Sequence, residues 1–139
     1  MQSRKVIVGT HEREDVLEVA VLVESVDADR LSEKANENAN SNYSLNVSLS
    51  ERDRSSEALV LSFSLELTSQ PQAARFKVAG NATLKGTRDD LKEAITAPDD
   101  NRPPPILLII YERIYSTLYV LSSALKVPHP LPNLLKKGS

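Results

Sequence analysis

Residues 103–132 read PPPILLIIYERIYSTLYVLSSALKVPHPLP, and this stretch decides the fold. Three prolines precede the longest apolar run in the chain, and Pro128, Pro130 and Pro132 close it. Proline suits the first helical turn, where its missing N–H has no intrahelical partner to lose. It also drives the preceding residue toward extended geometry, so Val127 marks a stop. The spacing predicts one long helix followed by an extended proline strap. Leu107, Ile110, Tyr111, Ile114, Leu118, Leu121 and Leu125 recur at steps of three and four, a continuous apolar stripe. Ile106, Ile109 and Val120 lie off that stripe, and Leu108, Tyr115 and Tyr119 form a further row. A first half that is apolar around most of its circumference is covered on more than one side, by its own domain or by a second chain. Glu112 and Arg113 interrupt the run short of the ~20 residues a membrane span needs, so no membrane partner is expected.

Upstream, three segments alternate with period two. Tyr43, Leu45, Val47 and Leu49 are interleaved with Ser44, Asn46, Ser48 and Ser50. Leu59, Leu61, Phe63, Leu65 and Leu67 alternate in the second segment, and Phe76, Val78, Gly80, Ala82 and Leu84 in the third. The charged residues 51–57 read as a hairpin loop and Gln70-Pro71-Gln72 as a turn. Such short connections demand antiparallel neighbours, because parallel ones need long crossovers. One face is oily and needs a cover, which the long helix supplies. The expected fold class is α+β: an antiparallel meander of about four strands covered by one long C-terminal helix.

The flanks are plainer. Residues 1–8 read as a short strand with Val6 and Val8 on one side, and His11 to Asp15 as a turn. Val16 to Val26 reads as a strand, since β-branched residues dominate it. Asp27 to Asn42 is polar and Asn-rich, a helical turn or two running into a linker. Past the third strand, Gly86 ends the sheet and Thr87 caps a short helix with Asp89 and Asp90 in its first turn. The organisation expected is an N-terminal part, 1–42, a sheet-plus-helix domain, 43–132, and a fraying tail, 133–139.

Composition excludes several functions. At 139 residues the chain suits one domain, and its net charge of −2 with both signs mixed provides no general basic field. The absence of cysteine removes disulfides, thiol catalysis and cysteine-based zinc sites. The two histidines, His11 and His129, are isolated; Asp99 and Asp100 could approach His129, but no spacing unites them. No glycine-rich phosphate loop and no Ser–His–Asp arrangement is present. No enzyme activity, cofactor or metal is expected. Met1 leads into charged residues rather than an apolar leader, which reads as cytoplasmic. Arg75, Lys77 and Lys85 can share the polar sheet face, but nearby acidic residues and the lack of stacking aromatics there argue against nucleic acid.

The order of antiparallel strands, the segment FKVAGNATLKG, the proline-led helix and the proline strap resembles the SecB-type export chaperone fold, in particular its short archaeal and toxin-linked variants. The matching segments are 43–50, 59–67, 76–86 and 104–132. The resemblance implies a non-enzymatic holdase that self-associates as a dimer or tetramer and binds unfolded or partner polypeptides in grooves between sheet and helix. By the same resemblance, Leu108, Tyr115 and Tyr119 fall on the exposed face of the long helix, and Phe63, Phe76 and Val78 near the groove. The resemblance does not extend to the helix and motor-docking tail that follow the strap in the export protein, so motor docking is not among its implications. A dedicated adaptor subunit for one complex is the alternative of a different class, and binding of nucleic acid by the sheet face a weaker one.

Overall fold

The computed structural model describes residues 7–8, 11–12, 17–35 and 42–136. Two short strands, β1 (Ile7–Val8) and β2 (His11–Glu12), pair as a small antiparallel ribbon. Four long strands follow: β3 (Glu18–Arg30), β4 (Asn42–Arg54), β5 (Ala58–Gln70) and β6 (Ala74–Lys85). Then come α1 (Arg88–Ala94), α2 (Pro105–Leu125) and a 3₁₀ turn at Leu134–Lys136. The reading of residues 1–6 as strand lies outside the described residues; His11 and Glu12, read as part of a turn, pair as β2.

β4, β5 and β6 form the expected antiparallel meander, and β3 lies against β6, so the sheet order is β3-β6-β5-β4. The division expected at residue 42 therefore falls between two strands of one sheet. β3 runs past Val26 to Arg30, because the register continues through Ala28↔Phe76 to Arg30↔Ala74. The β4–β5 loop is likewise shorter than expected. Glu51 to Arg54 stay in the ladder, and only residues 55–57 turn the chain.

Alternation places Leu59, Leu61, Phe63, Leu65 and Leu67 of β5, and Phe76, Val78, Ala82 and Leu84 of β6, on one buried face. Ile106, Leu107, Ile110, Tyr111, Ile114 and Leu118 of α2 close over it, the first part of the predicted stripe together with the off-stripe Ile106. By length and a mean hydropathy of 1.2, α2 also meets the requirement for a membrane span; in this fold it is the core helix. Leu91 and Ala94 of α1 are buried against the same core. As predicted, the Thr87 hydroxyl caps α1, accepting from the Asp90 N–H at 3.1 Å.

Each edge strand carries one extra residue: Glu24 between Val23 and Ser25 of β3, and Arg52 between Glu51 and Asp53 of β4. These bulges aim both side chains at Asn81 in the middle of the polar face. Arg52 Nη1 donates to Asn81 Oδ1 at 3.2 Å, and Asn81 Nδ2 donates to Glu24 Oε1 at 2.7 Å. One residue away, Gly80 makes room for the bulge, since a Cβ there would sit 2.0 Å from the Leu22 carbonyl oxygen. Bulges re-aim side chains and bend strands, and this sheet uses two of them to span its full width.

α2 starts with Pro105 in its first turn and ends at Lys126, whose φ of 56° is left-handed. Lys126 and Val127 donate back to Ser123 O and Ser122 O, at 3.2 and 3.0 Å. No basic residue lies in the last turn of α2. Arg30 of β3 takes that role from outside, donating from Nη1 to Leu125 O at 2.9 Å and to Lys126 O at 3.3 Å. A cation at a helix C-terminus meets the negative end of the dipole. The same guanidinium reaches Glu33 O and Ala35 O, so one side chain ties the exit of β3 to the end of α2. Beyond the strap, Leu134 and Leu135 pack against the core, where a fraying tail was expected.

Candidate functional site

The strap after α2 is built from residues that cannot join a sheet ladder: Pro128 and Pro130 have no N–H. Three of its carbonyls, in contrast, are taken by tyrosines. Tyr43 Oη donates to Pro128 O at 2.6 Å, Tyr115 Oη to Pro130 O at 2.7 Å and Tyr111 Oη to Leu131 O at 2.7 Å. Two of these donors come from the i, i+4, i+8 row on α2 and the third from the start of β4. The row itself is continuous, with ring centroids 5.9 Å apart for Tyr111–Tyr115 and 6.4 Å for Tyr115–Tyr119. Tyr119 completes it by stacking on His129 at 4.2 Å, planes 13° apart.

His129 is also held from behind. The buried Ser122 hydroxyl donates to Tyr119 O at 2.9 Å and also shares a hydrogen bond with His129 Nδ1. Burial pushes the Tyr43 phenol up to about 12. Tyr111 is raised further, by burial first and by Tyr115 and Tyr43 next, and Tyr115 by burial and then by Tyr119. The phenols clasping the strap are therefore neutral donors at neutral pH.

On the outside of this clasp lies an apolar and aromatic surface. Tyr119 is 48% exposed and Leu131 57%, with half-buried Tyr115 and His129 between them. Of the residues that the sequence pointed to, Tyr115 and Tyr119 come together here, and Leu108 is half-buried on the same helix row. Phe63, Phe76 and Val78 do not join them: at 3%, 0% and 0% exposure they are enclosed in the core, with Phe76 tilted against Tyr43 at 6.0 Å. Strand alternation told which face they occupy but not how completely α2 and the strap cover it. His129 and Leu131 are the residues that sequence reasoning missed. The available signal was the tyrosine spacing set against alternate prolines, which gives hydroxyl donors to carbonyls that lack neighbouring N–H groups.

The polar face holds less. Arg75 and Lys77 of β6 do lie on it, but Arg75 is paired with Asp29 and Glu66. Asp99, raised as a neighbour for His129, is instead bonded to Arg102 at 2.8 Å. Among the described residues no group of three or more His, Asp or Glu side chains is arranged for a metal.

Four antiparallel strands in an open sheet, covered by a long C-terminal helix, make this a SecB-like α+β fold. Among solved structures the chain is similar to the SecB-like chaperone Rv1957 of Mycobacterium tuberculosis, determined in complex with a ChAD peptide from the HigA1 antitoxin Rv1956. The two share 15% identity with a TM-score of 0.57, over 81% of this chain and 85% of that one. No protein-family model and no curated protein sequence matches the chain.

Proposed function

We propose that this chain is a non-enzymatic, chaperone-like protein that holds an unfolded or partner polypeptide on the surface formed by α2 and the strap. The observation that carries the reading is the exposed Tyr115–Tyr119–His129–Leu131 patch, fixed in place from beneath by hydrogen bonds to the strap. Tyrosine offers a large apolar body with a polar tip, the chemistry of adaptable binding surfaces. Because the rings are already held, a client spends little ordering entropy on them. The fold shared with a chaperone that was solved with a bound peptide supports the same reading. In it, Phe63, Phe76 and Val78 brace the surface from the core and Leu108 extends it along the helix.

The test is light scattering from a chemically unfolded, unrelated client, diluted into buffer with increasing amounts of the protein. Suppression of aggregation at near-equal molar ratio is expected, and the double variant Tyr119→Ser, Leu131→Ser should lose it while keeping the wild-type melting temperature. No suppression at large excess, or full protection by a folded double variant, refutes the proposal. In the first case a dedicated adaptor, recognised by one tight partner and no general protection, becomes the reading to pursue.

A further inference from the structure

The far end of the sheet from the strap, roughly 40 Å along a strand of this length, carries a second concave feature. At the tip of the β4–β5 hairpin, Arg54, Ser55, Ser56, Arg88 and Leu91 line a cavity of about 390 Å³. The two guanidinium groups come from separate elements, Arg54 from the end of β4 and Arg88 from α1. Ser55 and Ser56 are exposed at the turn, and the buried Leu91 side chain belongs to the wall contributed by α1. Arg54 is held by Glu51, with Nε on one carboxylate oxygen and Nη2 on the other at 3.0 Å. Among the ion pairs of the described residues none takes up Arg88.

We propose that this hairpin-tip cavity binds a phosphate-type oxyanion. Guanidinium forks match the oxygens of phosphate two at a time, and hydroxyls add single donors. The Arg88 fork, the N–H groups of Arg54 that Glu51 leaves open and two hydroxyls line one concavity and supply more donors than the two oxygens of a carboxylate can use. The dianionic charge of a phosphate is also what competes with Glu51 for Arg54. Glu51 thereby sets the affinity: it lends Arg54 a fixed orientation and opposes the ligand by its own charge.

The experiment is a titration of the intact protein with inorganic phosphate at constant ionic strength, followed through the backbone amide resonances of Ser55, Ser56 and Arg88. Parallel titrations use acetate and chloride. Saturable shifts with phosphate alone are expected. Arg88→Ala and Arg54→Lys should each weaken binding about tenfold, and Glu51→Gln should tighten it. A further titration with O-phosphoserine separates the sources, tighter binding of the monoester pointing to a phosphorylated chain and equal binding to the free ion. Shifts that fail to saturate, that acetate reproduces, or that survive Arg88→Ala unchanged overturn the proposal. All of these side chains are exposed, so the variants report binding rather than folding.

Discussion

Replacing Tyr43 with phenylalanine removes one oxygen and leaves the ring in place against Phe76. The lost hydroxyl is the donor to Pro128 O at 2.6 Å, in a part of the strap where Val127 and Pro128 are buried. A buried carbonyl left without its donor costs about 1–3 kcal/mol, and the phenylalanine recovers part of this by escaping the desolvation of a hydroxyl. The expected net loss is about 1.5 kcal/mol. With a urea dependence of about 1–3 kcal/mol per molar, the unfolding midpoint should fall by about 0.5–1.5 M at unchanged slope. Tyr115→Phe is the comparison. Its partner Pro130 O loses a donor at 2.7 Å, but Tyr115 is only half-buried and water can approach, so a loss of at most about 1 kcal/mol is expected. Because both hydroxyls hold one strap, the double variant should depart from additivity. Urea denaturation followed by circular dichroism reads all three variants. A Tyr43→Phe midpoint equal to wild type, or a larger loss from Tyr115→Phe, would refute the reasoning that the strap is held from its buried end.

The same phenols predict an alkaline limit. Tyr43 keeps its proton up to about 12 in the folded chain against 10.0 when unfolded, so its contribution is complete below pH 10 and is lost as pH rises toward 12; Tyr111 and Tyr115 act in the same direction. Urea midpoints that stay level through that range would contradict this, and Tyr43→Phe should flatten the decline. For Gly80→Ala, the new Cβ would overlap backbone at Leu22 O, and a loss of about 3 kcal/mol or more is expected; Gly86→Ala, whose Cβ would meet Leu17 Cδ1 at 3.4 Å, should stay within about 0.5 kcal/mol of wild type on thermal melting.

How much of this was legible in the sequence depends on whether the determining contacts are local. Period two in 43–50, 59–67 and 76–84, and steps of three and four in α2, are imposed by strand and helix geometry, so the elements and their buried faces could be read directly. Prolines placed the start and stop of α2 for an equally local reason. The place of β3 beside β6 could not be read that way, because nothing within Glu18–Arg30 distinguishes one edge of the meander from the other. Nor could the bulges at Glu24 and Arg52, each of which adds one residue and shifts the alternation that a pattern relies on. At the site, the tyrosine row was visible but its partners were not. Helical spacing shows that Tyr111, Tyr115 and Tyr119 share a row, but not that Tyr111 and Tyr115, with Tyr43 from β4, send their hydroxyls to the strap.

The pairing of β3 with β6 also bears on how the chain is made. Arg30 meets Ala74, and Glu18 meets Lys85. At ~5–20 residues added per second, β3 therefore waits on the order of seconds after leaving the ribosome before its partner strand exists. During that interval Leu22, Val23 and Val26 have no sheet to join. The acidic side chains Glu18, Glu24, Asp27 and Asp29 on the same segment favour hydration of an unpaired strand. Once β6 arrives, two of these charges take partners in the sheet, Glu24 on Asn81 and Asp29 on Arg75.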